Sequence, residues 1–143
     1  MNADEQYFTW ADSWVITGIL WSIPAEAEID LSTIIGTGDM LNHAIYTEDE
    51  LKKGFFKAQK RGLISVKENR VSISDSGKDL RAKVQNMRGG LFSIVNNMQK
   101  KLNSKRTKLS VVSDNEIDPC DFINEKAVQE GHQRYSANFN KKR

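Results

Sequence analysis

The stretch TEDELKKGFFKAQKRGLISVKENRVSISDSG, Thr47 to Gly77, decides the fold. It opens on a capping box, in which the Thr47 hydroxyl and the Glu50 carboxylate satisfy free helix-start amides reciprocally. Leu51, Phe55 and Ala58 then recur at helical spacing on one side. Lys60 and Arg61 fill a basic last turn and Gly62 supplies the stop, so the spacing predicts a helix over 47–61. Its opposite side presents Asp49, Lys53, Phe56, Lys57 and Lys60, flanked by Lys52, which makes a basic face with an aromatic in its middle. Beyond Gly62, Ile64 and Val66 alternate with polar residues, as do Val71 and Ile73. That period of two, broken at Glu68-Asn69, predicts a two-stranded hairpin over 63–74 with Lys67 and Arg70 beside its tip. Ser74-Asp75-Ser76 starts a further helix whose Leu80 and Val84 face inward.

Working towards the N-terminus, the run Trp14–Ile23 is apolar around most of its circumference. Trp10, Trp14 and Trp21 share one face with Thr17 and Gly18, and a helix over about 10–23 is expected at the centre of a core. The run has about half the length that a membrane span requires. Pro24 ends it, and an acidic connector carries Glu26, Glu28 and Asp30. Asp30 can cap a second helix with the stripe Leu31, Ile34, Ile35, Leu41 and Ile45. Gly36-Thr37-Gly38 begins like a dinucleotide-binding fingerprint, but Leu41 stands where the third glycine belongs and no strand is expected before it.

On the other side, Gly89-Gly90 breaks the fourth helix. Leu91, Ile94, Val95, Met98 and Leu102 then form an apolar stripe whose polar side ends in Lys100, Lys101, Lys105 and Arg106. Asp118-Pro119 can open a last short helix through Phe122, Ile123 and Val128, with the final residues expected to be disordered. The expected organisation is a domain over 1–88, an amphipathic helix over 89–110 and a polar tail with a short helix over 111–143.

The order helix, helix, helix, hairpin, helix over about 10–86 resembles a winged helix-turn-helix domain. Thr47–Leu51, Phe55, Ala58, Arg61-Gly-Leu-Ile64 and Val71–Leu80 carry the resemblance. The expected class is therefore mainly α with a small two-stranded antiparallel hairpin, a winged helix-turn-helix plus a C-terminal helix. The resemblance implies that helix 47–61 enters a DNA major groove while the hairpin 63–74 acts as the wing. Lys52, Lys53, Lys57 and Lys60 would then contact phosphates or bases, Phe56 a thymine methyl, and Lys67 and Arg70 the backbone. It also implies that the stripe Leu91, Ile94, Val95, Met98 and Leu102 is a dimer interface, the alternative being that it folds back on its own domain.

The charge of the 143-residue chain is distributed to match. Its formal net charge is only +2. Residues 1–51 nevertheless hold ten acidic residues and no Lys or Arg, whereas residues 52–110 hold sixteen basic and three acidic residues. A basic sector of that size suggests a polyanionic partner such as duplex DNA. Three acidic residues in the first turn of helix 47–61 and the aromatic Phe56 keep a second reading open. In that reading the chain is a protein-interaction module of the same fold, such as an antitoxin, an immunity protein or a phage accessory protein.

Enzymatic chemistry has little to stand on. His43 and His132 are the only histidines, Cys120 is the only thiol, and no motif ties any two of them together. His43 is expected to hydrogen-bond in the turn before helix 47–61. A single cysteine and no positively charged start before an apolar run are the pattern of a reducing, cytoplasmic setting. Asp114, Glu116, Asp118 and Glu125 fall at calcium-loop spacing, but Pro119 occupies the position that needs a glycine, so neither a metal nor a cofactor is expected.

Overall fold

The computed structural model describes residues 8–67, 70–90, 93–104 and 123–141. Their order is α1 (Trp10–Ser22), β1 (Glu26–Glu28), α2 (Leu31–Asn42), α3 (Glu48–Lys60), β2 (Ile64–Lys67), β3 (Arg70–Ile73), α4 (Asp75–Gln85), α5 (Ile94–Leu102) and α6 (Glu125–Lys141). The class is mainly α with a small antiparallel sheet, compatible with a winged helix.

Helix α1 has no polar side, and four other helices close around it. Nine consecutive residues from Asp12 to Leu20 are buried, with α2, α3, α4 and α5 all packed against them. Both ends are held by side chains. Thr9 and Asp12 form a capping box at the start. At the other end Arg81 of α4 donates from Nη1 to the carbonyls of Leu20 (2.7 Å) and Ile23 (3.0 Å), and from Nη2 to that of Pro24 (3.3 Å). Carbonyls that the last turn of a helix leaves free are thereby satisfied from a distant part of the chain.

Close approach of α1 and α2 depends on two glycines. Tyr46, fully buried, fits its ring and hydroxyl between Gly18 and Gly38, and a Cβ on either glycine would overlap it. Its hydroxyl donates to Trp14 O at 2.8 Å, while Trp14 Nε1 donates to Gly38 O at 2.8 Å. Burial, with the charge of Glu50 adding to it, pushes the phenol well above its ordinary pKa, so the hydroxyl stays a donor. Gly38 therefore belongs to helix packing, and Gly36 of the same Gly-Thr-Gly segment lies under the Tyr135 ring.

The sheet has three strands, where the sequence predicts two. In the order β1-β3-β2 both pairs are antiparallel, with Glu26 opposite Ser72, Ala27 opposite Val71, Ile64 opposite Ile73 and Lys67 opposite Arg70. The acidic connector thus supplies an edge strand that ties the hairpin to the α1–α2 connection. Helix α2 ends at Asn42, capped by His43 in the left-handed region at φ 53°. Ile45 consequently leaves the α2 stripe and is exposed. The His43 backbone N–H donates to Asp39 O at 2.6 Å and its ring stands exposed, so the backbone carries the hydrogen bond expected of the side chain.

The stripe on α5 is covered by its own chain. Val95, Met98 and Leu102 are buried against α1, and Asn103 pairs with the Phe8 backbone in both directions, at 2.8 and 2.9 Å. Leu91 lies outside the described residues, as do Glu68-Asn69, Lys105, Arg106, Asp114, Glu116, Asp118, Pro119, Cys120 and Phe122. The last helix is longer than the short helix and disordered end expected from sequence, and it packs on α2. Ile123 and Val128 are buried, the His132 ring meets Tyr46 O at 2.9 Å, and the Tyr135 hydroxyl donates to Asp39 Oδ2 at 2.5 Å.

Gly18→Ala and Gly38→Ala should each destabilise the protein by about 1–3 kcal/mol, because overpacking exceeds the helix-propensity gain of about 1 kcal/mol. Tyr46→Phe removes the atom that crowds position 18 but leaves the ring that crowds position 38. Urea unfolding should therefore show it rescuing Gly18→Ala in part and Gly38→Ala not at all. At α6, the hydrogen bond to Asp39 and burial push the Tyr135 phenol up to about 12. The folded state holds that proton more tightly than the unfolded one, so this contribution is full below pH 10.0 and is lost as pH rises through about 12. Unfolding at about pH 9 and about pH 11 should show a larger loss for the wild type than for Tyr135→Phe; equal losses would contradict this role.

Candidate nucleic-acid interface

Helix α3 is set by its two ends. Thr47 Oγ1 accepts from Glu50 N at 3.1 Å and Glu50 Oε1 from Thr47 N at 2.9 Å, which is the capping box expected from sequence. At the other end Arg61 is the cap and Gly62, at φ 78°, turns the chain into β2. Leu51, Gly54, Phe55, Ala58 and Gln59 are buried. At 3.6 residues per turn, Lys53 and Lys60 lie nearly opposite the centre of that buried arc, with Phe56 and Lys57 flanking them about 130° from it on either side.

Six of the seven residues singled out from sequence fall into three pairs. Lys52 and Lys53 stand on the exposed face, each bonded one turn back to a carboxylate: Lys52 to Glu48 at 2.7 Å and Lys53 to Asp49 at 3.0 Å. These hydrogen bonds hold both ammonium groups above their ordinary pKa. Exposed pairs of this kind are weak because water screens them, so they exchange readily for another anion. Phe56 is exposed, and Lys60 Nζ lies 5.3 Å from its ring centroid. At the hairpin tip Lys67 and Arg70 face each other across β2 and β3, and Arg70 Nε bonds Glu26 Oε1 of β1 at 3.0 Å.

Lys57 belongs elsewhere. Its Nζ bonds Asp12 Oδ2 at 2.5 Å, with side chains only 17% and 5% exposed, and lies 5.8 Å from the Phe8 ring. Asp12 Oδ2 also accepts from Thr9 N at 2.9 Å. One carboxylate thus caps α1 and anchors α3. Both Asp12 and Glu26 come from the acidic N-terminal part of the chain, so that part neutralises two cations of the basic sector within the fold. Neither partner was identifiable in the sequence, since 45 and 44 residues separate the members of these pairs. The only hint was that Asp12 falls three residues after Thr9.

Arg61, next to Lys60, has its Nε buried without a hydrogen-bond partner among the described residues, and burial lowers its pKa. Elsewhere, an open groove of about 440 Å³ runs between the β1–α2 connection and α6, walled by Glu28, Asp30, Glu130 and Arg134. Asp30 is already engaged there: burial alone would raise its pKa, but hydrogen bonds from Ser32 and Thr33 outweigh that and lower it. Among the described residues no group of three His, Cys, Asp or Glu side chains could hold a metal ion, and no helix is long and apolar enough to cross a membrane.

Lys57→Met should cost about 3 kcal/mol in chemical unfolding, because it strands the buried Asp12 carboxylate. Lys53→Met should leave the unfolding midpoint unchanged, and Asp12→Asn in the Lys57→Met background should recover part of the loss. Comparison of the chain with known protein families, with curated proteins and with solved structures returns no match.

Proposed function

We propose that the chain is a non-enzymatic DNA-binding protein of winged-helix type, a transcriptional regulator that reads duplex DNA with α3 and rests the β2–β3 hairpin on the backbone. The observation that carries this reading is the element order α1-β1-α2-α3-β2-β3-α4 with its sheet order β1-β3-β2. In it a capped, outward-facing basic helix runs directly into a short hairpin with two cations at its tip. Lys67 and Arg70 sit opposite one another although like charges across a strand pair are unfavourable. A phosphate between them would turn that repulsion into attraction. Lys52 and Lys53 are held only by exposed carboxylates of their own helix, which phosphates can displace. Lys57 is a structural cation in this reading and not a DNA contact.

A second reading is favoured by one observation: Glu48, Asp49 and Asp12 match three of the four lysines on α3 and leave exposed Phe56 prominent. A protein partner anchored on Phe56 would use such a face.

A salt titration separates the two. Duplex binding followed by fluorescence anisotropy should weaken with salt, and the logarithmic slope should be about −0.9 for each phosphate engaged. Lys52, Lys53, Lys67 and Arg70 predict a slope of about −3 to −4, with each alanine substitution reducing it by about one and Lys57→Met leaving it unchanged. Absence of duplex binding at low salt overturns the DNA reading. Recovery of a stoichiometric protein partner, lost on Phe56→Ala, would favour the second.

A further inference from the structure

Phe56 and Lys60 are the two large outward groups of α3 that no carboxylate engages among the described residues, and they touch each other. The matched charges lie earlier in the helix. Glu48, Asp49 and Glu50 crowd the first turn, the end that recognition helices usually turn towards the bases. Phosphates lining a groove repel carboxylates there, and Lys52 and Lys53 reach a phosphate only by giving up Glu48 and Asp49. The unmatched surface is in the second half: Phe56, 41% exposed, Lys60 one turn on, and then Lys67 at the hairpin.

Resting on the DNA-binding reading, we infer that α3 meets the duplex through its C-terminal half and that Phe56 and Lys60 act as one unit selecting a thymine and a nearby guanine. A phenyl ring can neither donate nor accept the hydrogen bonds that distinguish base edges. The apolar feature that the major groove offers it is the thymine C5-methyl. An ammonium finds its strongest base acceptors at guanine O6 and N7. The rise from residue 56 to residue 60 is about 6 Å, close to two base-pair steps of about 3.4 Å. The two bases therefore stand within about two steps of each other. Lys60 lying over the ring keeps both groups on one side of the helix before DNA arrives, which limits the freedom lost on binding.

The test begins by enriching duplexes from a randomised library with the full-length chain. In the enriched site each thymine is replaced by deoxyuridine, which lacks only the methyl, and each guanine by 7-deazaguanine, which lacks N7. Wild type should lose about 3- to 10-fold in affinity at one thymine and at one guanine within two steps of it. Phe56→Ala should bind weakly and be indifferent to deoxyuridine, Phe56→Leu should keep part of the thymine preference, and Lys60→Ala should be indifferent to 7-deazaguanine. A site at which deoxyuridine costs wild type nothing, or costs wild type and Phe56→Ala alike, overturns the inference and leaves the DNA-binding reading standing. Failure to enrich or retain any duplex at low salt overturns that reading, and the inference with it.

Discussion

Tyr46 stands where α1 and α2 come closest, and the helical core depends on how it is accommodated. Its ring needs the space that a side chain at Gly18 or Gly38 would take, and its hydroxyl needs the Trp14 carbonyl within a helix that has no exposed side. Its carbonyl in turn receives His132 from α6. One residue therefore sets the α1–α2 separation, begins the connection into α3 and offers α6 a polar anchor. A phenol suits this position because it is large enough to fill the core and carries one donor to satisfy. Burial keeps that donor protonated.

A second constraint governs the direction of α3. The Asp12–Lys57 pair closes on a carboxylate already engaged by Thr9, so the orientation of α3 is coupled to the first turn of α1. Buried ion pairs rarely add much net stability, but removing one member leaves a charge that has no solvent. The pair therefore fixes which side of α3 faces outward, and Phe56 and Lys60 occupy that side. β1 constrains the hairpin in a similar way, through backbone pairing with β3 and the Arg70–Glu26 bond.

Features governed by neighbours three or four residues apart were legible in the sequence. The Thr47–Glu50 capping box, the Asp30 and Ser74 caps and the Leu51-Phe55-Ala58 stripe all appear as read. The hairpin was legible because its alternation is confined to eight residues around one turn. β1 was not, since Glu26-Ala27-Glu28 has no strand propensity and becomes a strand only because β3 offers it an edge. α6 was misjudged for a related reason. Its sequence is largely polar, and what holds it in place includes buried Val128 together with His132 and Tyr135, whose partners are Tyr46 and Asp39. The spacing groups Lys57 with Lys53, Phe56 and Lys60, whereas the fold turns it to Asp12, and the charge balance of that face does not show in the spacing. Asp12 and Glu26 are too far along the chain for spacing to reveal what they neutralise.

The burial of α1 on every side bears on the order in which the chain can assemble. This apolar helix leaves the ribosome ahead of α4 and α5, which complete its covering. The caps for its last carbonyls are on Arg81, and the side chains over it include Val95, Met98 and Leu102. A nascent chain ending ahead of α4 would have α2 and α3 but neither Arg81 nor α5 to close over α1, leaving part of its apolar surface in water, the kind of transient surface on which chaperones act. Synthesis beyond residue 102 is then the step at which this segment ceases to be a liability. Truncations ahead of α5 are accordingly expected to aggregate and not to yield a smaller folded domain.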